Sequence, residues 1–362
     1  MLGKKFRLGE LFCGPGGIAY GAKLASQFGN FEIIHAWATD YDRDTCDTYI
    51  KNICNSDDST VICEDIRKLD LNRLQNISNI DALAFGFPCN DYSVVGEKKG
   101  IDGTFGALYK YGIEALDKFK PEWFLAENVE GLTTANNNQA LIKILDEMYK
   151  VGYSVYPHLY SFDEYGVPQA RKRVIIIGIR KDINVEFYPP SPKAFLHLDN
   201  TVKKALEVPP IPIDAKNNER TYHAKHVVER LSYIKPGENV FTANLPEHLK
   251  LKVKGAKISQ IYKRLHPDKP SYTVTGSGGG GTHMYHWEEP RALTNRERAR
   301  IQTFPDSFEF CGSKESVRKQ IGMAVPCMGV NIILRSLFKC FSREEYDRVE
   351  CNISPLIHSK EG

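Results

Sequence analysis

The sequence predicts an α/β protein with a doubly wound, mainly parallel sheet, joined to a smaller loop-rich region. Seven short runs rich in β-branched and aromatic residues carry the first part of this expectation: 6–12, 33–39, 61–66, 80–87, 123–129, 154–162 and 173–180. Between several of them lie segments with helical spacing, such as 108–119 and 139–149. Alternation of this kind places helices on both faces of a parallel sheet, which binds ligands at the carboxyl ends of its strands. The texture then changes at Tyr188-Pro189-Pro190-Ser191-Pro192. Periodicity fades to about residue 290, while prolines, lysines and histidines accumulate. Order returns with 292–301, which reads as helical, and with 325–338, an apolar helix following Pro326. The expected division is therefore 1–189, a second and smaller domain over 190–290, and a return segment over 291–362.

The 362 residues suffice for one large domain or two unequal ones, and 42% hydrophobic with 26% charged residues is ordinary globular composition. A net charge of +3 is compatible with a polyanionic partner without demanding one. Nine scattered cysteines with no C-x-x-C pair argue against a disulfide framework or zinc ribbon and fit a reducing compartment. Residues 1–11 lack a continuous apolar signal core, and the longest apolar run, 174–179, is far shorter than the roughly 20 residues a bilayer takes. The expectation is a soluble, cytoplasmic protein without a membrane span.

The first run ends in Phe12-Cys13-Gly14-Pro15-Gly16-Gly17, where glycines allow a sharp turn and close approach of a ligand to a helix start. Asp40 ends the second run and Asp65 the third. Such carboxylates suit a ribose diol and an adenine amino group, which suggests an adenosine-containing cofactor. A tight strand-to-helix turn with solvated acids remains the plain alternative, and the dinucleotide fingerprint G-x-G-x-x-G is absent. Cys89 follows the fourth run within Gly86-Phe87-Pro88-Cys89-Asn90. Its polar, flexible company (Asn90, Asp91, Ser93) is that of a reactive loop, although an isolated cysteine is most often a core residue. Glu127-Asn128-Val129 ends the next run on the same sheet edge. In Gln169-Ala170-Arg171-Lys172-Arg173, strand alternation puts Gln169, Arg171 and Arg173 on one face, suited to phosphate or carbonyl recognition or to a protective charged edge.

In order, these segments resemble the motifs of the DNA cytosine-C5 methyltransferase family. The resemblance covers residues 8–180 and 291–330. It includes the Pro-Cys and Glu-Asn-Val motifs, Q-x-R-x-R at Gln169–Arg173, the segment Arg291 to Pro305, and Gln320-Ile321-Gly322-Met323-Ala324-Val325-Pro326. Asn90 stands where the family usually has Gln, Met323 where it usually has Asn, and Phe105-Gly106 where Arg-Gly is frequent.

The resemblance implies S-adenosylmethionine as cofactor, held by Phe12, Gly14, Gly16, Gly17, Asp40, Tyr41, Asp65, Ile66, Pro88, Leu108 and Val325. It implies Cys89 as nucleophile, Glu127 on N3 and the exocyclic amine of cytosine, and Arg173 on O2 with Arg171 assisting. The partner is double-stranded DNA, with Ser93, Gln169, Thr273, Thr275 and Arg291 as contacts. Residues 190–290 become the target-recognition domain, whose Lys250, Lys252, Lys254, Lys257, Lys263 and Arg264 suit phosphate contacts. The implied protein is a monomer of bacterial or phage type with a companion restriction endonuclease. No metal is expected: His223/His226 and His283/His286 read as solvated or DNA-facing. A tRNA cytosine methyltransferase is disfavoured by the lack of a central Cys-Phe-Thr segment, a catalytically silent DNA-binding protein by the intact Cys89, Glu127, Arg171 and Arg173. A nicotinamide-dependent oxidoreductase leaves the Cys/Glu pair unexplained.

Overall fold

The computed structural model describes residues 3–27, 29–87, 108–134, 138–251, 259–276, 278–279 and 281–354. Cys89, Pro88 and Ser93 lie outside the described residues, as do Lys252, Lys254 and Lys257.

Seven strands form one sheet: β1 (Lys4–Leu11), β2 (Phe31–Asp40), β3 (Val61–Cys63), β4 (Ala82–Gly86), β5 (Trp123–Val129), β6 (Tyr153–Ser161) and β8 (Lys172–Arg180). Their order is β3-β2-β1-β4-β5-β8-β6. The first five run parallel, while β8 is antiparallel to both its neighbours. The central strands read as near-continuous apolar runs because both of their faces are covered. On one face α4 (Tyr109–Phe119) and α5 (Asn138–Lys150) supply Leu116, Leu141, Ile144 and Met148 against Phe85, Phe124 and Ile176. On the other, α1 (Gly17–Ala25) and α10 (Cys327–Ser342) bring Ala22, Val330, Ile333 and Leu337 against Leu8, Leu125 and Ile177. The helix α10 is strongly apolar, and its 16 residues are accounted for by packing on α1 and the sheet. Short helices α2 (Arg43–Ile53) and α3 (Leu71–Ile77) complete the first half, each N-capped by an aspartate, Asp42 or Asp70.

Beyond β8 the chain is mostly irregular, with α6 (Val202–Glu207), α7 (Lys225–Ser232) and a two-stranded parallel ladder of β7 (Gln169–Ala170) and β9 (Ser271–Tyr272). A separate small core of Leu231, Ile234, Val240, Leu245, Leu249, Tyr262, Tyr285 and Ala292 lies here. Irregular backbone leaves carbonyl groups without ladder partners, and buried arginines take their place. Arg264 donates to the carbonyls of Leu231, Ile234, His286 and Glu289, and Arg296 to those of Lys216, Pro305 and Phe308. The chain returns through α8 (Asn295–Ile301), opened by a Thr294/Glu297 capping box, and α9 (Lys314–Met323) before α10.

Candidate active site

A cleft of about 550 Å³ opens at the carboxyl ends of β1 to β5, where the strand order reverses between β1 and β4. Open α/β sheets bind ligands at this point, and the volume suits a nucleoside-sized molecule. The turn after β1 forms one wall. Phe12 (φ 53°), Gly14 (φ 55°) and Gly16 (φ 96°) all take left-handed backbone, which is strained for the phenylalanine and free for the glycines. Gly17 starts α1, and a Cβ there would fall 2.6 Å from the carbonyl oxygen of Val325. The bare glycine therefore lets the segment 322–325 close the cleft, with Gly322, Met323, Ala324 and Val325 all in its lining.

Two carboxylates reach this space. Asp40 accepts from the backbone N–H of Gly14 through Oδ2 and of Asp42 through Oδ1, both at 3.1 Å, so it fixes the turn as well as facing the cleft. Burial pushes its carboxyl above the usual range. Asp65 is gripped by the Arg67 guanidinium, which holds its carboxyl at about 2. Tyr41, largely exposed, and Ile66 and Leu108, both buried, complete the apolar lining beside Phe12.

The far wall carries the polar pair that strand spacing suggested. Glu127 near the end of β5 and Arg173 near the start of β8 meet with Nε–Oε1 at 2.8 Å, both side chains nearly shielded from water. Because β8 runs antiparallel, its beginning lies beside the end of β5, with Val129 opposite Arg173. Gly86 pairs with Glu127 in the ladder, and a Cβ at Gly86 would stand 3.1 Å from Glu127 Oε2, so the glycine leaves the carboxylate room. Asn128, buried in the same strand, donates through Nδ2 to the Phe87 carbonyl at 3.3 Å. It thereby pins the backbone two residues before Cys89. Sequence reasoning did not single out Asn128, although a polar residue inside an apolar strand was a legible signal.

The cleft, its glycine turn, the strand-end acids and the Glu127–Arg173 pair occupy the span matched by a single protein family. The profile of the C-5 cytosine-specific DNA methylases covers residues 6–339. The chain belongs to that family. It is 55% identical to the type II methyltransferase M.BbvI of Brevibacillus brevis, over 98% of this chain and 95% of that protein. It is 40% identical to the type II methyltransferase M.NgoFVII of Neisseria gonorrhoeae, over 97% and 91% respectively. Among solved structures, a protein assigned as a DNA modification methyltransferase encoded in an Escherichia coli prophage shares the fold. It has a TM-score of 0.71 and 23% identity, covering 94% of this chain and 99% of that one.

Within this cytosine-C5 methyltransferase, the structure brings Phe12, Gly14, Gly17, Asp40, Tyr41, Asp65, Ile66, Leu108 and Val325 to one cleft with Glu127 and Arg173. Gly16 lies just behind, as the N-cap of α1. Four expectations are corrected. Arg171 lies on the same side of the chain as Arg173 and close enough to feel its charge, but it does not reach the surface. It is buried and donates to the carbonyls of Val274, Gly322 and Ala324 at 2.9 to 3.1 Å. Gln169 is likewise buried, bonded to Gln302 and to the Val274 N–H. Alternation itself holds, with Ala170 and Lys172 exposed between them, but the strand breaks at Arg171 and β7 pairs with β9 instead of extending β8, so this face is turned into the protein. Arg291 is turned inward onto Glu297 and Glu289, and Arg264 serves the carbonyls named above. Both guanidinium groups are taken up by partners inside the protein.

Gln302 extends this internal network, donating to the carbonyls of Ile321 and Ala324. The last carbonyls of α9, unpaired within the helix, are thus taken by two side chains from distant motifs. Thr273 lies on the surface side of the same junction, its hydroxyl donating to the Ala170 carbonyl, while Thr275 receives Arg298 on its carbonyl. His286 stacks on Trp287 with ring centroids 4.0 Å apart and is buried, so it is neither solvated nor DNA-facing. His223 meets His283, with centroids 5.7 Å apart.

Proposed function

We propose that this protein transfers the methyl group of S-adenosylmethionine to C5 of a cytosine turned out of duplex DNA, through a transient Cys89–C6 bond. The observation that carries the proposal is the Glu127–Arg173 pair, which faces across one cleft toward the glycine turn and Asp40.

The residues present fit the cofactor. The cleft has apolar walls for a flat adenine ring, formed by Phe12, Ile66 and Leu108. Asp40 is held by two backbone donors with its carboxylate facing the lining, where a ribose diol would donate to it. Asp65 and the backbone of Ile66 lie where an adenine edge would end, Tyr41, Pro88 and Val325 add contact, and Gly14, Gly16 and Gly17 leave room for the methionine part. The bound cofactor supplies an electrophilic methyl group on a sulfonium.

Cytosine C5 is too weak a nucleophile to take that methyl unaided. Addition of the Cys89 thiolate to C6 moves the ring's electron pair onto C5, which then forms the new carbon–carbon bond. Glu127 hydrogen-bonds N3 and the exocyclic amine and offsets charge as it develops on the ring. Arg173 orients the Glu127 carboxylate and donates to O2. A base then removes the C5 proton, the C5=C6 bond re-forms and the Cys89 thiolate leaves. Turning the base out of the stack costs a few kcal/mol, offset by contacts to the duplex.

In this reading 1–189 and 291–362 form the catalytic domain and 190–290 reads the target. Ser93, Thr273 and Thr275 contact the backbone, and Arg171 and Gln169 hold the framework beneath them. The protein acts as a monomer in the bacterial cytoplasm, alongside a restriction endonuclease of the same specificity. That pairing is supported by its type II methyltransferase relatives.

Bisulfite sequencing of plasmid DNA from cells expressing the protein is expected to show protected cytosines at every copy of one short sequence. Conversion of all cytosines, with the protein soluble and S-adenosylmethionine present, would sink the proposal.

A further inference from the structure

Of the buried arginines of the loop-rich half, Arg230, Arg264 and Arg296 are matched by backbone carbonyls and Arg291 by carboxylates, but two inward-turned arginines are not. Arg298, on α8, is 1% exposed and makes a single bond, from Nη1 to the Thr275 carbonyl at 3.3 Å. Its Nε and Nη2 are buried without a partner among the described residues. Arg318, on α9, is also turned inward, and its buried Nε has no partner either. The acid that comes nearest to it is Glu315, at 3.7 Å, beyond hydrogen-bond reach and itself 85% exposed. His283, Lys314 and His223 stand in the same neighbourhood. Burial, followed by the charges of Arg298 and Arg318, pushes His283 down to about 4, so at neutral pH it adds no third positive charge. Burial and the nearby Arg318 also lower Arg298, to about 10, which still leaves it charged at neutral pH.

Two inward-facing guanidinium groups with no hydrogen-bonded acid among the described residues, and only the exposed Glu315 near one of them, are an expensive arrangement unless an anion completes it. Their position says which anion. Arg318 lies directly against the backbone at Gly278, where a Cβ would fall 2.5 Å from its Nε and 2.6 Å from its Cζ. Arg298 holds the carbonyl of Thr275, in the segment proposed above to meet DNA. Guanidinium forks match carboxylate and phosphate oxygens bidentately, and beside a segment proposed to meet DNA the anion at hand is a backbone phosphate.

We propose that Arg298 and Arg318 form a site for one backbone phosphate of the duplex, at Thr275 and Gly278. This rests on the DNA-methylation reading and adds to it a contact outside the cleft. The site couples DNA to both segments that close the cofactor cleft, since α8 leads to Gln302 and α9 carries Gly322 and Met323.

The test uses Arg298→Met and Arg318→Met in the full chain, with S-adenosylhomocysteine present. Duplex affinity is expected to fall about tenfold or more for each, equally for target and non-target duplexes. The slope of log affinity against log salt is expected to shrink by about 1 in either single variant and no further in the double variant, since the two arginines share one phosphate. The melting temperature of the DNA-free protein is expected to hold or rise, because an uncompensated buried charge has been removed. A lower melting temperature with an unchanged salt slope would show a purely internal role and overturn the site.

Arg318→Lys keeps the charge and guards against misfolding of the methionine variants. On duplexes carrying single methylphosphonates, one neutralised position is expected to weaken the wild type and cost the lysine variant less. Equal cost at every position in both proteins would count against the site. If wild-type protein binds no duplex at all, the methylation reading falls with it. Normal wild-type binding with unaltered variants removes only the site.

Discussion

Cys89→Ser is expected to lower methyl transfer below roughly a thousandth of the wild-type rate while S-adenosylmethionine binding stays within about twofold. A serine hydroxyl is a far poorer nucleophile than a thiolate. The cofactor cleft, by contrast, is built from Phe12, Asp40, Asp65, Leu108 and the 322–325 segment, none of which depends on the thiol. Single-turnover transfer of labelled methyl groups to duplex DNA, with cofactor titration by calorimetry, separates the two effects. Substantial activity in the serine variant would remove Cys89 from the chemistry.

Arg171→Ala is expected to destabilise the fold by about 3–5 kcal/mol, a large share of a typical margin of about 5–15 kcal/mol. The loss leaves the carbonyls of Val274 and Gly322 unpaired in the interior, where each costs about 1–3 kcal/mol less what entering water recovers, and leaves the Ala324 carbonyl to Gln302 alone. Two of these carbonyls end α9, so Met323 and Val325 loosen at the cofactor cleft and affinity for the cofactor falls as well. Arg171→Lys should recover little, because one ammonium cannot span three carbonyls set for a planar fork. Urea denaturation gives the answer. An alanine variant as stable as wild type but inactive would return Arg171 to the catalytic surface.

Arg171 also shows where the sequence was silent. Seven strands were legible because each is a short apolar run with a helix or turn on either side, and all seven formed within a few residues of their expected limits. Glu127, Asp40 and Asp65 were legible because strand ends on one edge of a parallel sheet must converge. Arg171, Gln169 and Arg264 were misplaced because their partners, backbone carbonyls for the arginines and the Gln302 side chain and Val274 N–H for Gln169, lie from about 20 to about 150 residues away. Local periodicity carries no trace of such bonds. The helix α9 was missed for a related reason. Its buried face is Val317, Gln320, Ile321 and Gly322, with Gln320 bonded to Thr48 of α2, so it presents no apolar stripe. Its start was nonetheless signalled by Ser313, which caps the Ser316 N–H.

Met323 is the departure that the structure makes interpretable. Where the family usually has Asn, this side chain lies half-exposed on the rim of the cofactor cleft, opposite Tyr41 in its lining. A flexible thioether there offers apolar cover in place of a hydrogen bond.

The central claim is the covalent bond between Cys89 and the target base, and a duplex carrying 5-fluorocytosine at the methylated position tests it most directly. Fluorine at C5 cannot leave as a proton does, so after methyl transfer elimination of the thiol is blocked. With S-adenosylmethionine present, the wild-type protein is expected to migrate as a denaturation-resistant adduct, with the DNA mapped to Cys89 by mass spectrometry. Efficient methylation of the ordinary duplex, with no adduct on the fluorinated one, would contradict the mechanism.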